Sequence, residues 1–174
     1  MKYFIGYAAD GEITDYYQAI TTDLSSRFGI LNLSEKVPAH LTLVYPKESE
    51  EIGQTLKAVK SFVNDKKPIP FIINGFGKFT GKDGTIYLAP IRDEILQTFI
   101  KDAITTLASV ADYSRYDQEF HLHMSIARHL NPKISAEIWK YLKIQPVPRF
   151  KLQFDNISVF EYTNKWILKY QFKF

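Results

Sequence analysis

The chain has 174 residues, 45% hydrophobic and 24% charged, which are the proportions of an ordinary soluble globular protein. It has no cysteine, so disulfides, thiolate chemistry and cysteine zinc sites are excluded, and a reducing, cytoplasmic setting is expected. Its 22 basic and 19 acidic residues leave a net +3. From Asn131 onward there are 8 basic and 3 acidic side chains. That bias suits a polyanionic ligand, and it suits solvated lysines on exposed strand faces equally well.

The N-terminus, MKYFIGYAADGE, turns polar too early for a signal peptide, and no apolar run reaches membrane-spanning length. One domain is expected at this length. Tyr3–Ala8 reads as a short buried strand. Ile13, Tyr16, Tyr17, Ile20 and Leu24 mark one face of a helix reaching Phe28. AHLTLVYP, around His40, reads as a strand. A helix from about Ser49 to Val63 follows, with Ile52, Leu56, Val59 and Val63 on one face. Ile69–Phe79 reads as a strand, joined by the turn Gly81–Gly84 to the strand Thr85–Pro90. Ile95–Ala111 is predicted as a helix on Ile95, Leu96, Phe99, Ile100, Ile104 and Leu107. FHLHMSIAR is the next strand. Asn131-Pro132 caps a further helix carrying Ile134, Ile138 and Leu142. Phe150–Phe160 is strand-like with a turn or bulge at Asp155-Asn156, and Thr163–Lys165 divides it from WILKYQFKF.

The order strand, helix, motif strand, helix, strand thus occurs twice, at an offset of about 83 residues. The repeated motif is His40-Leu41-Thr42 and His123-Met124-Ser125. Alternation along a strand puts His and Thr, and His and Ser, on one face, with Leu41, Leu43, Met124 and Ile126 turned to a core. Two such units packed about an approximate two-fold axis would bring both motifs to one groove. Imidazole titrates nearest neutrality, so one ring can act as base while the other acts as acid. The hydroxyls of Thr42 and Ser125 can hold phosphoryl oxygens.

Other residues have competing readings. His121 shares the face of His123, and His-x-His with His40 could ligate a metal, although this would leave both hydroxyls unexplained. Its alternative place is at the cleft edge or behind His123. Arg128 falls by alternation on the face of Met124 and Ile126, so it lies past the strand end or at a bulge, as an ion-pair partner or a phosphate contact. His129 is expected at the surface. Tyr45 shares the face of Leu41 and is assigned to the core. Phe79, Tyr87, Tyr113 and Tyr116 are loop-proximal aromatics that could stack on a base.

VPAHLTLVYP and FHLHMSIAR resemble the paired motifs of the two-histidine phosphoesterase superfamily, in its branch of 2′-5′ RNA ligase-like proteins and RNA 2′,3′-cyclic phosphodiesterases. FGKF…GTIYLAP resembles that family's middle hairpin, and FDNISVFEYTNKWILKYQFKF its closing strands, so the resemblance covers essentially the whole chain. Leu122 stands where the family often has Pro, and Ser125 where Thr is common. The resemblance implies an α+β, bilobal fold with two antiparallel sheets facing across a central groove and helices outside. We expect the motif strands to be central in their sheets. It implies His40 and His123 as acid and base, Thr42 and Ser125 as phosphate-binding groups, and no cofactor or metal. The implied reaction is hydrolysis of a cyclic phosphodiester on an RNA end or a small nucleotide, with reverse 2′-5′ ligation microscopically possible. Its pH optimum is expected near neutrality. A non-catalytic RNA-binding module and a phosphodiesterase acting on 2′-5′ oligonucleotides are the alternatives. A monomer with no obligate protein partner is expected.

Overall fold

The computed structural model describes residues 1–48, 52–80, 84–107 and 121–174. In chain order these form β1 (Lys2–Ala8), α1 (Glu12–Phe28), β2 (His40–Glu48), α2 (Ile52–Val63), β3 (Ile69–Phe79), β4 (Gly84–Pro90), α3 (Glu94–Thr106), β5 (Met124–Leu130), α4 (Pro132–Leu142), β6 (Arg149–Phe154), β7 (Asn156–Tyr162) and β8 (Trp166–Lys173). The expected start of α2, the end of α3, the hairpin turn 81–83, Phe120, Tyr113 and Tyr116 lie outside the described residues.

Local chemistry accounts for the helices. Ile13, Tyr17, Ile20, Thr21 and Leu24 form the buried stripe of α1, and Gly29 ends it in the left-handed conformation, at φ 63°, with its N–H on the Ser25 carbonyl. Asp93 and Asn131 cap α3 and α4, their side chains accepting from the N–H groups of Leu96 and Ile134. Pro132 sits in the first turn of α4, where no donor is lost.

The fold is α+β, with two four-stranded antiparallel sheets in the orders β2-β1-β7-β8 and β5-β4-β3-β6. The helices α2 and α3 pack together and cover strands of the first sheet, while α1 and α4 pack together against β4 and β5 of the second. A continuous apolar core runs under both sheets, from Tyr3, Ile5, Leu41 and Leu43 to Ile86, Leu88, Met124 and Ile126. No helix among the described residues is long and apolar enough to cross a membrane.

Two expectations are corrected. The motif strands are not central, because β2 and β5 are each the first strand of their sheet, and they approach one another. The groove therefore opens where two sheet edges meet, which brings one motif from each half to the same place. Phe150–Phe160 is also not one strand. The chain leaves the second sheet at Asp155 and enters the first as β7, so β6 and β7 belong to different sheets. The structural counterpart of β3 is thus β7. Phe79 faces Thr85 as Phe160 faces Phe4.

Asn156 secures this crossing. It is buried, its Oδ1 accepts from the Ala8 N–H at 3.0 Å, and its Nδ2 donates to the Ala8 carbonyl at 3.0 Å. One side-chain amide so replaces a strand partner at the end of β1, and Ala8 is the residue paired with His40.

Candidate active site

His40 is the first residue of β2, whereas His123 immediately precedes β5, which begins at Met124 and so starts later than the predicted strand FHLHMSIAR. Both rings are tied in the same way. The Nδ1 of His40 lies 2.7 Å from the Pro38 carbonyl, and that of His123 lies 2.8 Å from the His121 carbonyl. A carbonyl only accepts, so in each neutral ring Nδ1 carries the proton and Nε2 is the nitrogen able to accept one. The rings are also walled alike. Phe4 and Phe160 lie 4.7 and 5.4 Å from His40, centroid to centroid, and Phe79 and Tyr87 lie 4.9 and 5.4 Å from His123. Gly77 makes the second wall possible, because a Cβ there would collide with the Tyr87 ring.

These walls dehydrate both imidazoles. Burial pushes His40 down to about 4, opposed by its bond to the Pro38 carbonyl and assisted by the charges of Arg128 and His123. Burial also lowers His123, opposed by the His121 carbonyl and assisted by Arg128 and His121. One cation, Arg128, is therefore felt by both rings.

The cleft is lined by Phe4, His40, Thr42, Tyr45, His123, Ser125 and Arg128, with Val37, Phe79, Thr85 and Trp166 at its sides. All four motif residues thus line one cavity, and Arg128 contributes the formal positive charge. Among the described residues no carboxylate lines the cleft, and no three His, Asp or Glu converge as a metal cluster.

Arg128 and Tyr45 reach the cleft by one device. Along β2, Thr42 faces Gly6 but Val44 already faces Ile5, so an extra residue is inserted there. Along β5, Ser125 faces Tyr87 and Ala127 faces Ile86, the same insertion. Such a bulge reverses the facing of the residues that follow it, up to the next irregularity of the strand. Val44 and Ala127 are accordingly buried. Tyr45 is moved from its expected place in the core to the face of Thr42, and Arg128 to the face of Ser125. A bulge is one of the two sequence readings of Arg128, but strand alternation gives no sign of the equivalent one before Tyr45.

His121 is exposed, and its main-chain carbonyl orients His123. His129 is exposed, with φ 56°, at the second irregularity of β5. The aromatic walls Phe4 and Trp166, and the hydroxyl of Thr85, are absent from the sequence-predicted site. Nothing in their local pattern distinguishes them from other strand residues.

Comparison with known proteins agrees with this architecture. The family model described as the 2′-5′ RNA ligase superfamily matches residues 18–166. "Putative phosphoesterase GK0864" of Geobacillus kaustophilus is 25% identical over 149 residues, covering 84% of this chain and 80% of that protein. The crystal structure of TT0787 of Thermus thermophilus superposes with a TM-score of 0.68 at 15% identity, over 99% of this chain and 97% of that one. That of E. coli LigT complexed with 3′-AMP gives 0.61 at 9% identity, over 99% and 97%. A family match over most of the length, on a chain whose paired motifs meet in one cleft, has a single reading: this protein belongs to the 2′-5′ RNA ligase superfamily of two-histidine phosphoesterases.

Proposed function

We propose that this cleft is a metal-independent phosphodiesterase site that opens cyclic phosphodiesters, the 2′,3′-cyclic phosphates of RNA ends or small nucleotides. The observation that carries it is the paired imidazoles, each with Nδ1 anchored to a carbonyl two residues back and each followed by a hydroxyl lining the same cleft. In the proposed reaction a water oxygen attacks phosphorus in line as the bond to one ribose oxygen breaks. One neutral Nε2 takes the water proton. The other imidazole, protonated, gives its proton to the leaving oxygen. Thr42 and Ser125 donate to the non-bridging oxygens, whose charge grows in the transition state. Arg128 balances the phosphate charge, a task that a cation exposed to solvent at one end and facing both histidines can perform. LigT, a structural neighbour, was crystallised with 3′-AMP, and a nucleotide end as ligand fits that precedent.

Run backwards, the same groups would join a hydroxyl end to a cyclic phosphate, but water at its ordinary concentration favours hydrolysis. The test is product analysis on 2′,3′-cyclic nucleotides with and without EDTA. Turnover to a nucleoside monophosphate at the same rate in both is expected. Loss of turnover on chelation, restored by zinc or manganese, would replace the acid–base mechanism with a metal one.

A further inference from the structure

The groove face of the first sheet continues outward past His40. Tyr162 is the cross-strand partner of Trp166, and Phe160 that of Leu168. Phe160 stacks on Phe4 at 4.5 Å in the small cluster on the groove side, so its neighbours of the same parity share that face. Trp166 lines the cleft and stands edge-on to Phe4 at 4.9 Å, and Tyr162 lies 5.2 Å beyond Trp166. Tyr162 is 45% exposed and Leu168 43%. The Lys2 Nζ sits 5.5 Å above the Tyr162 ring. An aromatic strip with a cation at its outer end thus leads from the reacting centre to the edge strand. The other side of the cleft differs, because the counterpart of Phe4 there is Thr85.

We propose that this strip docks the nucleotide flanking the reacting phosphate, so that the cleft takes the end of a single-stranded oligonucleotide in preference to a free cyclic mononucleotide. This rests on the phosphodiesterase reading above. Three features single out a nucleotide as occupant. The strip is continuous with the cleft, so a chain whose terminal phosphate lies between the histidines must cross one side or the other. Aromatic faces accept any unpaired base. Lys2 puts a cation at the outer end of the strip, the charge that a backbone phosphate needs.

The test compares a tetraribonucleotide ending in a 2′,3′-cyclic phosphate with 2′,3′-cyclic AMP, on wild type and Tyr162→Ala. Tyr162 does not line the catalytic cleft. Stacking of a base is worth enough to change affinity by about 5- to 100-fold. Wild type should show a KM for the tetranucleotide lower than that for the mononucleotide by a factor in this range. Tyr162→Ala should remove that advantage while changing kcat/KM for the mononucleotide by less than about twofold. Equal KM values in wild type, or an advantage that survives Tyr162→Ala, would overturn the proposal. If wild type turns over neither substrate, the activity reading fails separately. The strip is then judged by binding of a 3′-phosphorylated tetraribonucleotide against 3′-AMP, followed by tryptophan fluorescence. Tighter binding of the tetranucleotide, lost in Tyr162→Ala, supports the strip, and equal binding overturns it. A change in sedimentation of Tyr162→Ala without any loss of oligonucleotide preference would reassign the strip to contact between copies of the chain.

Discussion

Tyr45 and Arg128 occupy equivalent positions in the two halves, each just beyond a one-residue bulge and each turned by it into the cleft. The cleft is thus lined by a histidine and a hydroxyl from each half, but by the phenol of Tyr45 on one side and the cation of Arg128 on the other. Arg128→Gln should raise the apparent values of both histidines, because its charge is one of the influences holding them down. The rise should be small beside the effect of burial, and KM for a cyclic nucleotide should rise as the phosphate loses its counter-charge. Imidazole titration by NMR checks the first outcome and steady-state kinetics the second. Unmoved imidazoles would place Arg128 outside the cleft in solution.

His40→Ala and His123→Ala should each remove most activity with folding near normal, and the double variant should be little worse than either, because acid and base act as a unit. Thr42→Ala and Ser125→Ala should each cost about 2–4 kcal/mol of transition-state stabilisation. His121→Ala should be mild, because it supplies a main-chain carbonyl that any residue retains. A His121→Ala loss equal to that of His123→Ala would show that the His121 ring itself takes part.

Dehydration of both rings moves the pH profile. Below their ordinary value of 6.5 and above their lowered ones, both histidines of the empty cleft are neutral, and the acid form becomes populated only as pH falls. The kcat/KM profile should therefore be bell-shaped with its maximum on the acid side of 6.5, rather than at the neutrality expected from unperturbed imidazoles. The kcat profile should sit higher, since bound phosphate anion favours the imidazolium. Coincident profiles with a maximum above about pH 7 would contradict this.

The same shift makes His40 an acid-sensitive element of stability. Its folded value is below its unfolded one, so the unfolded chain binds the extra proton. Stability is complete above about 6.5 and falls as pH drops toward 4, by up to about 3 kcal/mol. Denaturant unfolding of wild type and His40→Gln across that window checks it: the variant should lose this part of the slope.

Asn156→Ala should destabilise the fold by about 1–3 kcal/mol, because both main-chain groups of Ala8 lose a buried partner. Asn156→Asp should not rescue it, since a carboxylate cannot donate to the Ala8 carbonyl. Activity should fall with stability, because Ala8 pairs with His40. Urea unfolding midpoints for the two variants are the measurement, and an unchanged midpoint in both would show that water replaces the amide.

Local pattern records which side of each element is buried. That is enough to place His40 with Thr42 and His123 with Ser125, to delimit α1 and the start of α4 to within a residue or two, and to suggest that two like halves share a groove. Alternation is a rule about one unbroken strand, and it fails after an inserted residue, which is why it assigns Tyr45 to the core. Pairing is not written in periodicity either. Phe150–Phe160 alternates as one strand would, yet the chain changes sheets at Asp155, and β2 and β5 read as central strands although each lies at an edge. The sequence by itself determined the paired His and hydroxyl residues and the common face each pair occupies. Only the tertiary structure decided which edges meet, which aromatics dehydrate the imidazoles, and that Arg128 lies within reach of both, because these depend on contacts between segments far apart in the chain.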